Sequence, residues 1–392
     1  MKIHDYIDMD ELNRALERGL VSSRPHPRWP LSILNYTSAA MTKTHDNPTL
    51  RRCRGLIFDH VTREVVVRPM EAFFNINDTR YPETMLENMP RLQDANLEIT
   101  EKMDGSLGVV YQYQNNPPEV ATRGSFTSDQ AKWATEYFQA HNEMACFRGV
   151  TPLVEIIYPE NQIVVDYKDE QSLTLLTLID NETGSEMTHG GLEVVAVAMG
   201  IPVVKLWNKS VAQCAAENEK NREGYVAKFI SRSGQVQRFK IKFEDYKLCH
   251  RAMFGMNNRD VWESLKDGKQ IDLTSIAKVA PQGLVDWLMG EIAQFTVNFE
   301  YIKSTVIDLH GMAHRGVMNE DWKRKDVAAF FNRQCVSIHP SVDGGRTIPL
   351  APVLFAAFDG KDYTKVIWKL LRPARAEGYR TAPIEEAVDL AA

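Results

Sequence analysis

Apolar and polar positions along this chain follow two rhythms, and the change falls near Phe243. From Leu31 to Phe243 the apolar residues come in short strand-like runs, among them Gly55-Leu56-Ile57-Phe58, Glu64-Val65-Val66-Val67, Leu153-Val154-Glu155-Ile156-Ile157-Tyr158 and Gln162-Ile163-Val164-Val165. Turn signals such as Asn181-Glu182-Thr183-Gly184 and Ser231-Arg232-Ser233-Gly234 punctuate them, which predicts an antiparallel sheet region. Helices are expected at Ser128 to Met144, with Ser128 as N-cap, and at Gly191 to Met199. After Lys242 the spacing lengthens to three and four residues, over Ile276 to His310 and Trp322 to Asn332, and helices are predicted there. The expected fold class is therefore α+β: residues 1–243 form antiparallel sheets with flanking helices, and residues 244–392 form a mainly helical domain. No glycine/serine linker separates the halves, so they are expected to pack together.

Composition narrows the class. With 392 residues, 44% hydrophobic and 25% charged, the chain has material for two globular cores. No apolar run approaches the roughly 18 residues of a membrane span, and the start lacks the layout of a signal peptide, so a cytoplasmic protein without membrane contact is expected. The five cysteines are scattered without C-x-x-C spacing, which predicts buried thiols rather than disulfides or zinc. Net charge is −6, and residues 251–392 carry acidic and basic side chains in equal number, so the deficit lies on the first 250. A nucleic-acid site would have to be a local basic patch.

The sharpest chemical signal is Lys102-Met103-Asp104-Gly105, set between Ile99 and the apolar run from Leu107. Asp-Gly is a favoured two-residue hairpin connection, so one reading is a solvated turn. The other is a lysine nucleophile that takes a nucleotidyl group from a nucleoside triphosphate, which requires loss of its proton, helped by burial and neighbouring cations. In that reading Gly105 lets the backbone approach the nucleotide, and Asp104 holds the loop through backbone N–H groups. Further parts are then required, and they occur in order: Arg54, the Arg68 to Asn75 cluster, Arg123, Glu155, Glu223, then Lys240 and Lys242. Alternation puts Lys240 and Lys242 on one face of a strand, with Phe239 and Ile241 on the other. Two lysines on a solvated strand face are common, but a carboxylate inside the apolar run at Glu155 requires a partner.

This ordered set resembles the covalent nucleotidyltransferases, and in detail the phage-type ATP-dependent RNA ligase family one, the tRNA-repair ligases. The likeness is carried by Arg68-Pro69-Met70-Glu71, Phe73-Phe74-Asn75, Lys102 to Leu107, Glu223-Gly224-Tyr225-Val226 and Phe239-Lys240-Ile241-Lys242 with Tyr246. It implies a nucleotidyltransferase domain over residues 1–243 and joining of 5′-phosphate to 3′-hydroxyl RNA ends through lysyl-AMP and RNA-adenylate. ATP and Mg²⁺ are the implied cofactors, and single-stranded or nicked tRNA ends the implied partners of a monomer, in the host cytoplasm if the gene is a phage's. By the same resemblance Lys102 is the nucleophile, Arg54 contacts triphosphate or ribose, Glu155 the ribose, and Glu223 the nucleotide or metal-bound water. Lys240 and Lys242 take the α-phosphate, Tyr246 serves sealing, Arg123 stands where the family has a lysine, Tyr36 contacts the nucleotide and Asp272 the metal. One position departs: Ala72 replaces a lysine expected to grip pyrophosphate, leaving Arg51, Arg52 or Lys228 as substitutes.

DNA ligases and capping enzymes share the chemistry but add an oligonucleotide-binding barrel, which the helical C-terminal pattern disfavours. Neither G-x-x-x-x-G-K-[ST] nor H-E-x-x-H occurs, against a P-loop kinase or a zincin. A non-catalytic RNA-end sensor is the alternative from another class. Lys323-Arg324-Lys325, Lys369, Arg372, Arg375 and Arg380 are candidate RNA contacts of the helical domain.

Overall fold

A computed structural model describes residues 1–44, 46–91, 94–141, 147–278, 280–316, 323–338 and 345–379. Cys146, Trp322, Arg380 and the expected helix end at Met144 lie outside them. Among the described residues no helix is long and apolar enough to cross a membrane.

The chain divides into two compact units, Met1–Lys247 and Leu248–Thr381. The first carries thirteen strands in three sheets among its described residues. Strands β1 (Val21–Pro25), β2 (Leu31–Tyr36), β3 (Arg54–Asp59) and β4 (Val65–Val67) pair in that order. Later in the chain come β5 (Phe74–Asn75), β6 (Ala95–Lys102), β7 (Ser106–Tyr111), β8 (Glu119–Thr122), β9 (Val150–Ile157), β10 (Ser172–Asp180), β11 (Leu206–Trp207), β12 (Gly224–Ser231) and β13 (Val236–Lys242). They form a second sheet ordered β10-β9-β7-β8 and a third ordered β11-β6-β12-β13-β5. Every pairing is antiparallel except β13 with β5.

Packing follows the alternation. Leu31, Ile33 and Ile57 of the first sheet meet Val109, Ala121 and Leu153 of the second in one core. The other face of the first sheet is covered by α1 (Ile3–Tyr6), α2 (Met9–Glu17) and α3 (Pro48–Arg52), and that of the second by α4 (Asp129–His141) and α5 (His189–Met199). Ser128 Oγ accepts from Ala131 N at 3.2 Å, the N-cap that the sequence predicts. In the third sheet Ile99, Tyr225, Ala227, Phe239 and Ile241 share the buried face.

The second unit is mainly helical. Helices α6 (Val211–Ala216) and α7 (Glu244–His250) precede α8 (Asn258–Lys266), α9 (Leu273–Ala277), the long α10 (Gln282–Gly316), α11 (Arg324–Phe331), α12 (Ala351–Phe358) and α13 (Thr364–Leu371), and α10 packs against α8, α12 and α13. The expected helix from Ile276 is split in two because Pro281 lacks the N–H that a continuous helix needs. A short antiparallel pair, Cys335–Ser337 with Thr347–Pro349, interrupts the helices. Of the cysteines, Cys53, Cys214 and Cys249 are buried as expected, but Cys335 is exposed on that short strand.

Two expectations fail in ways that matter for the site. Gln162 to Val165 is not a strand: the N–H groups of Val164 and Val165 both go to Asp104 Oδ2, at 2.8 and 2.7 Å, instead of to a ladder. And Asp104-Gly105 does not close a hairpin. Strand β6 pairs with β12 and β11, whereas β7 pairs with β9 and β8, so the loop between them carries the chain from one sheet into another.

Candidate functional site

Register builds the centre of the site. Gly224 of β12 lies between Lys102 of β6 and Lys242 of β13, and one pleat further Val226 lies between Thr100 and Lys240. Because side chains alternate, Lys102, Lys240 and Lys242 rise from one face while their neighbours Ile241 and Phe239 fill the core. No side chain stands between Lys102 and Lys242, and none fits: Gly224 has φ +144°, and a Cβ there would lie 1.9 Å from the Ile241 carbonyl oxygen. Both lysines turn onto the residue just before it. Lys102 Nζ donates to Glu223 Oε2 at 2.7 Å, and Lys242 Nζ lies 3.0 Å from Oε1. Burial would raise the Glu223 carboxyl, but the two ammonium groups and their hydrogen bonds outweigh it and hold it below its ordinary value.

The crossing loop is held from below by Asp104. Besides the two backbone donors of Val164 and Val165, it accepts from the Tyr246 hydroxyl at 2.6 Å, while its own N–H donates to Tyr167 Oη at 2.9 Å. Burial, reinforced by the Glu223 charge, pushes the Asp104 carboxyl up to about 6 against those hydrogen bonds. Tyr246 thus contacts the loop's support. Gly105 also meets a demand within the protein: a Cβ there would lie 2.5 Å from the Ile156 carbonyl oxygen, so the loop approaches β9 closely. Its N–H donates to Glu155 Oε1 at 2.9 Å, which supplies the partner that a carboxylate in an apolar strand requires.

Burial pushes the Glu155 carboxyl up to about 8, although nearby Lys102 pulls it down. An acid raised on folding binds more protons in the native state than in the unfolded chain, so stability falls as pH rises from the ordinary carboxyl value through about 8. Asp104 contributes the same sign but is finished by about 6, and the lowered imidazoles of His26 and His310 act in the opposite sense around their ordinary value of 6.5, so Glu155 dominates above about pH 7. Urea unfolding at pH 7 and pH 8 is expected to show wild-type stability dropping by about 1 kcal/mol over that pH unit, with the slope largely removed in Glu155→Gln. Parallel slopes in the two proteins would refute this.

A pocket of about 130 Å³ opens above this floor, and its walls include Arg54, Lys102, Gly105, Arg123, Glu155 and Lys240. Six of the eleven candidate site residues therefore line one cavity, and Glu223, Lys242 and Tyr246 stand directly behind it through Lys102 and Asp104. The Phe73 ring forms a further wall, with Lys240 Nζ 5.2 Å and the Arg54 guanidinium 5.8 Å from its centroid. Arg54 is buried, and its Nη1 makes no hydrogen bond among the described residues, an unmet donor on a residue of the pocket wall. Tyr36 is not a wall residue: it is buried in the core beneath the first sheet, with the Arg123 guanidinium 5.6 Å over its ring. Asp272 belongs to the second unit, where it is exposed and caps α9 by accepting from Ser275 N at 3.0 Å and Ser275 Oγ at 2.6 Å.

One basic wall residue, Arg238, was missed; it is ion-paired with Glu186. Lys228, expected only as a substitute cation, is also a wall residue, buried and 2.5 Å from Glu98. Extending the Lys242, Lys240 alternation back by two residues reaches Arg238, and its cross-strand partner is Lys228. With Glu98 already bound to it, Lys228 is a poor substitute for a cation at position 72.

Comparison with known proteins places this arrangement in a family. A family model described as RNA ligase matches residues 52–248, which is 197 of the 392 residues. The chain belongs to that RNA ligase family. A protein of Thermovibrio ammonificans named "putative RNA ligase" is 30% identical over 227 residues, 55% of this chain and 57% of its own length. A "putative bifunctional polynucleotide kinase/RNA ligase" of Autographa californica nuclear polyhedrosis virus is 29% identical over 180 residues, 39% of this chain and 24% of that protein. The chain thus spans little more than half of one curated relative and a quarter of the other. Among solved structures, a mutant of the Naegleria gruberi RNA ligase with ATP and manganese aligns at 19% identity and TM-score 0.32, over 39% of this chain and 50% of that one. The matched segment contains Arg54, Lys102, Glu155, Glu223, Lys240 and Lys242.

Proposed function

We propose that this chain is an ATP-dependent RNA ligase that joins 5′-phosphate to 3′-hydroxyl ends in RNA or tRNA repair. The observation that carries the reading is the Lys102 amine, held at 2.7 Å by Glu223 at the wall of a pocket that Arg54, Arg123 and Lys240 also line. An amine nucleophile among three further cations is chemistry for a phosphoryl centre. Lys102 loses a proton and its lone pair attacks the α-phosphorus. The N–P bond forms as the bond from that phosphorus to the bridging oxygen breaks, pyrophosphate leaves with the electron pair, and a second proton leaves the nitrogen. A 5′-phosphate oxygen of RNA then displaces the lysine, which regains its proton, and a 3′-hydroxyl displaces AMP.

Among the described residues no three His, Cys, Asp or Glu side chains are arranged to hold a metal. Mg²⁺ would be carried mainly by nucleotide phosphates and water, with Glu155 at the pocket wall and Glu223 behind it, and would neutralise phosphate charge. Residues 1–243 are assigned adenylyl transfer and residues 244–392 RNA recognition. In the latter, Lys323 and Lys325 are exposed beside Arg324, which is tied to Asp359 at 2.8 Å. The test is incubation with Mg²⁺ and α-labelled ATP, then with 5′-phosphorylated RNA. Covalent label on the protein that moves to RNA and yields sealed product is expected, whereas nucleotide binding without label would leave an RNA-end sensor.

A further inference from the structure

The 130 Å³ pocket is smaller than the roughly 300 to 1,000 Å³ that small-molecule sites occupy, so a whole nucleoside triphosphate has to extend beyond it. Next to it is a cleft of about 770 Å³ that shares Met70, Phe73 and Arg238 with the pocket as common walls. The two spaces meet at Phe73, and the residue before it, Ala72, bonds through its N–H to the Arg51 carbonyl at 3.0 Å.

Among the described residues four arginines and four carboxylates, Glu71, Glu83, Asp94 and Glu186, line the cleft as a whole, and Arg51, Arg52 and Arg68 outnumber the carboxylates that pair with them. Arg51, Arg52 and Arg68 all line it, and among the described residues the one carboxylate ion-paired with these guanidinium groups is Glu71, 3.7 Å from Arg51 Nε and 3.0 Å from Arg52 Nε. Arg51 Nε is buried and makes no hydrogen bond among the described residues. Arg52 and Arg68 are held in place by the Tyr6 ring, at 5.0 and 4.7 Å from its centroid, by a 2.6 Å bond from Arg52 Nη1 to the Tyr6 carbonyl and by a 3.1 Å bond from Arg68 Nη1 to the Glu182 carbonyl. Arg238, the other arginine of the cleft, is already neutralised by Glu186. Preorganised guanidinium groups in excess of their carboxylates, beside a pocket where a phosphorus atom reacts, suit a phosphate-bearing leaving group.

We propose that Arg51, Arg52 and Arg68 bind the β- and γ-phosphoryl groups of the nucleotide, and then the pyrophosphate, in this cleft while Lys102 takes the α-phosphoryl group in the pocket. The assignment rests on the ligase reading above and adds the residues that hold its leaving group. They do so from a helix end and a neighbouring loop, where side chain 72 is only a methyl group.

The test uses wild type, Arg51→Gln and Arg68→Gln, with melting curves as a fold control; Arg52→Lys serves for Arg52, whose bond to Tyr6 ties down α1. Purified lysyl-AMP protein is given either inorganic pyrophosphate, which regenerates ATP, or 5′-phosphorylated RNA, which accepts AMP. In the two Gln variants the pyrophosphate concentration for half-maximal reversal should rise about 10- to 100-fold, at least tenfold more than any loss in transfer to RNA. Calorimetric titration with pyrophosphate alone should weaken in parallel. Wild-type pyrophosphate dependence in the variants would overturn the assignment, and a loss confined to the RNA step would give the cleft to an RNA phosphate instead. A wild type that never forms lysyl-AMP would remove the ligase reading itself.

Discussion

Lys102→Ala protein is expected to take up no label from α-labelled ATP, a loss of at least about 1,000-fold, while its melting curve stays close to that of wild type. The activity arm follows from position: among the described residues no other lysine both lines the pocket and is hydrogen-bonded to Glu223 at the sheet crossing. Lys240 also lines the pocket, but from β13 and beside Phe73, and Lys228 is bound to Glu98. The stability arm follows from Glu223, which keeps Lys242 at 3.0 Å once Lys102 is gone, so its buried charge is not left alone. Lys102→Met, which retains the apolar stem, should behave alike and separate chemistry from packing. Persistent labelling of either variant, mapped by peptide analysis to another lysine, would move the nucleophile.

Glu223→Gln should do the reverse and strike stability as well as labelling. It removes the single carboxylate between two ammonium groups that are 18% and 12% exposed, and a broken pair of this kind costs about 3 to 5 kcal/mol. Glu223 has its carboxyl lowered on folding, so its contribution is present above the ordinary carboxyl value and is lost as pH falls through the lowered one. The gap between wild type and Glu223→Gln in urea unfolding should therefore be widest near neutral pH and narrow as pH drops below about 4.5. A gap that stays constant with pH would mean that shape rather than charge decides the effect.

Much of this site was legible in the order of residues, and the reasons differ from one residue to the next. Lys240 and Lys242 were readable because a strand's period of two is a local property, and the same rule, carried back two positions, would have reached Arg238. Glu155 was readable because a carboxylate in an apolar strand must find a partner, though which one could not be told: Gly105 N lies 50 residues away in the chain. Tyr36 was set against a nucleotide by the resemblance and Gly105 by the lysine-nucleophile reading, and the structure adds contacts with protein: Arg123 over one, the Ile156 carbonyl beside the other, which also lines the pocket. Nothing local marks such contacts, since a tyrosine at a strand end and a glycine after aspartate suit either role.

Taken alone, the sequence settled what depends on neighbours along the chain: the alternating strands of the first unit, the cap at Ser128, the helical spacing after Lys242 and the shared face of the two lysines. Tertiary structure alone decided that the loop after Lys102 passes between sheets instead of turning back as a hairpin, because the competing partners of β6 and β7 lie far away in sequence. It also decided that Asp104 captures the N–H groups of Val164 and Val165, turning an apparent strand into the loop's support, and that one carboxylate binds both Lys102 and Lys242. Hydrogen bonds and ion pairs between distant segments are set by where whole sheets pack, and a pattern of residue types fixes the faces that pack without fixing which charges meet there.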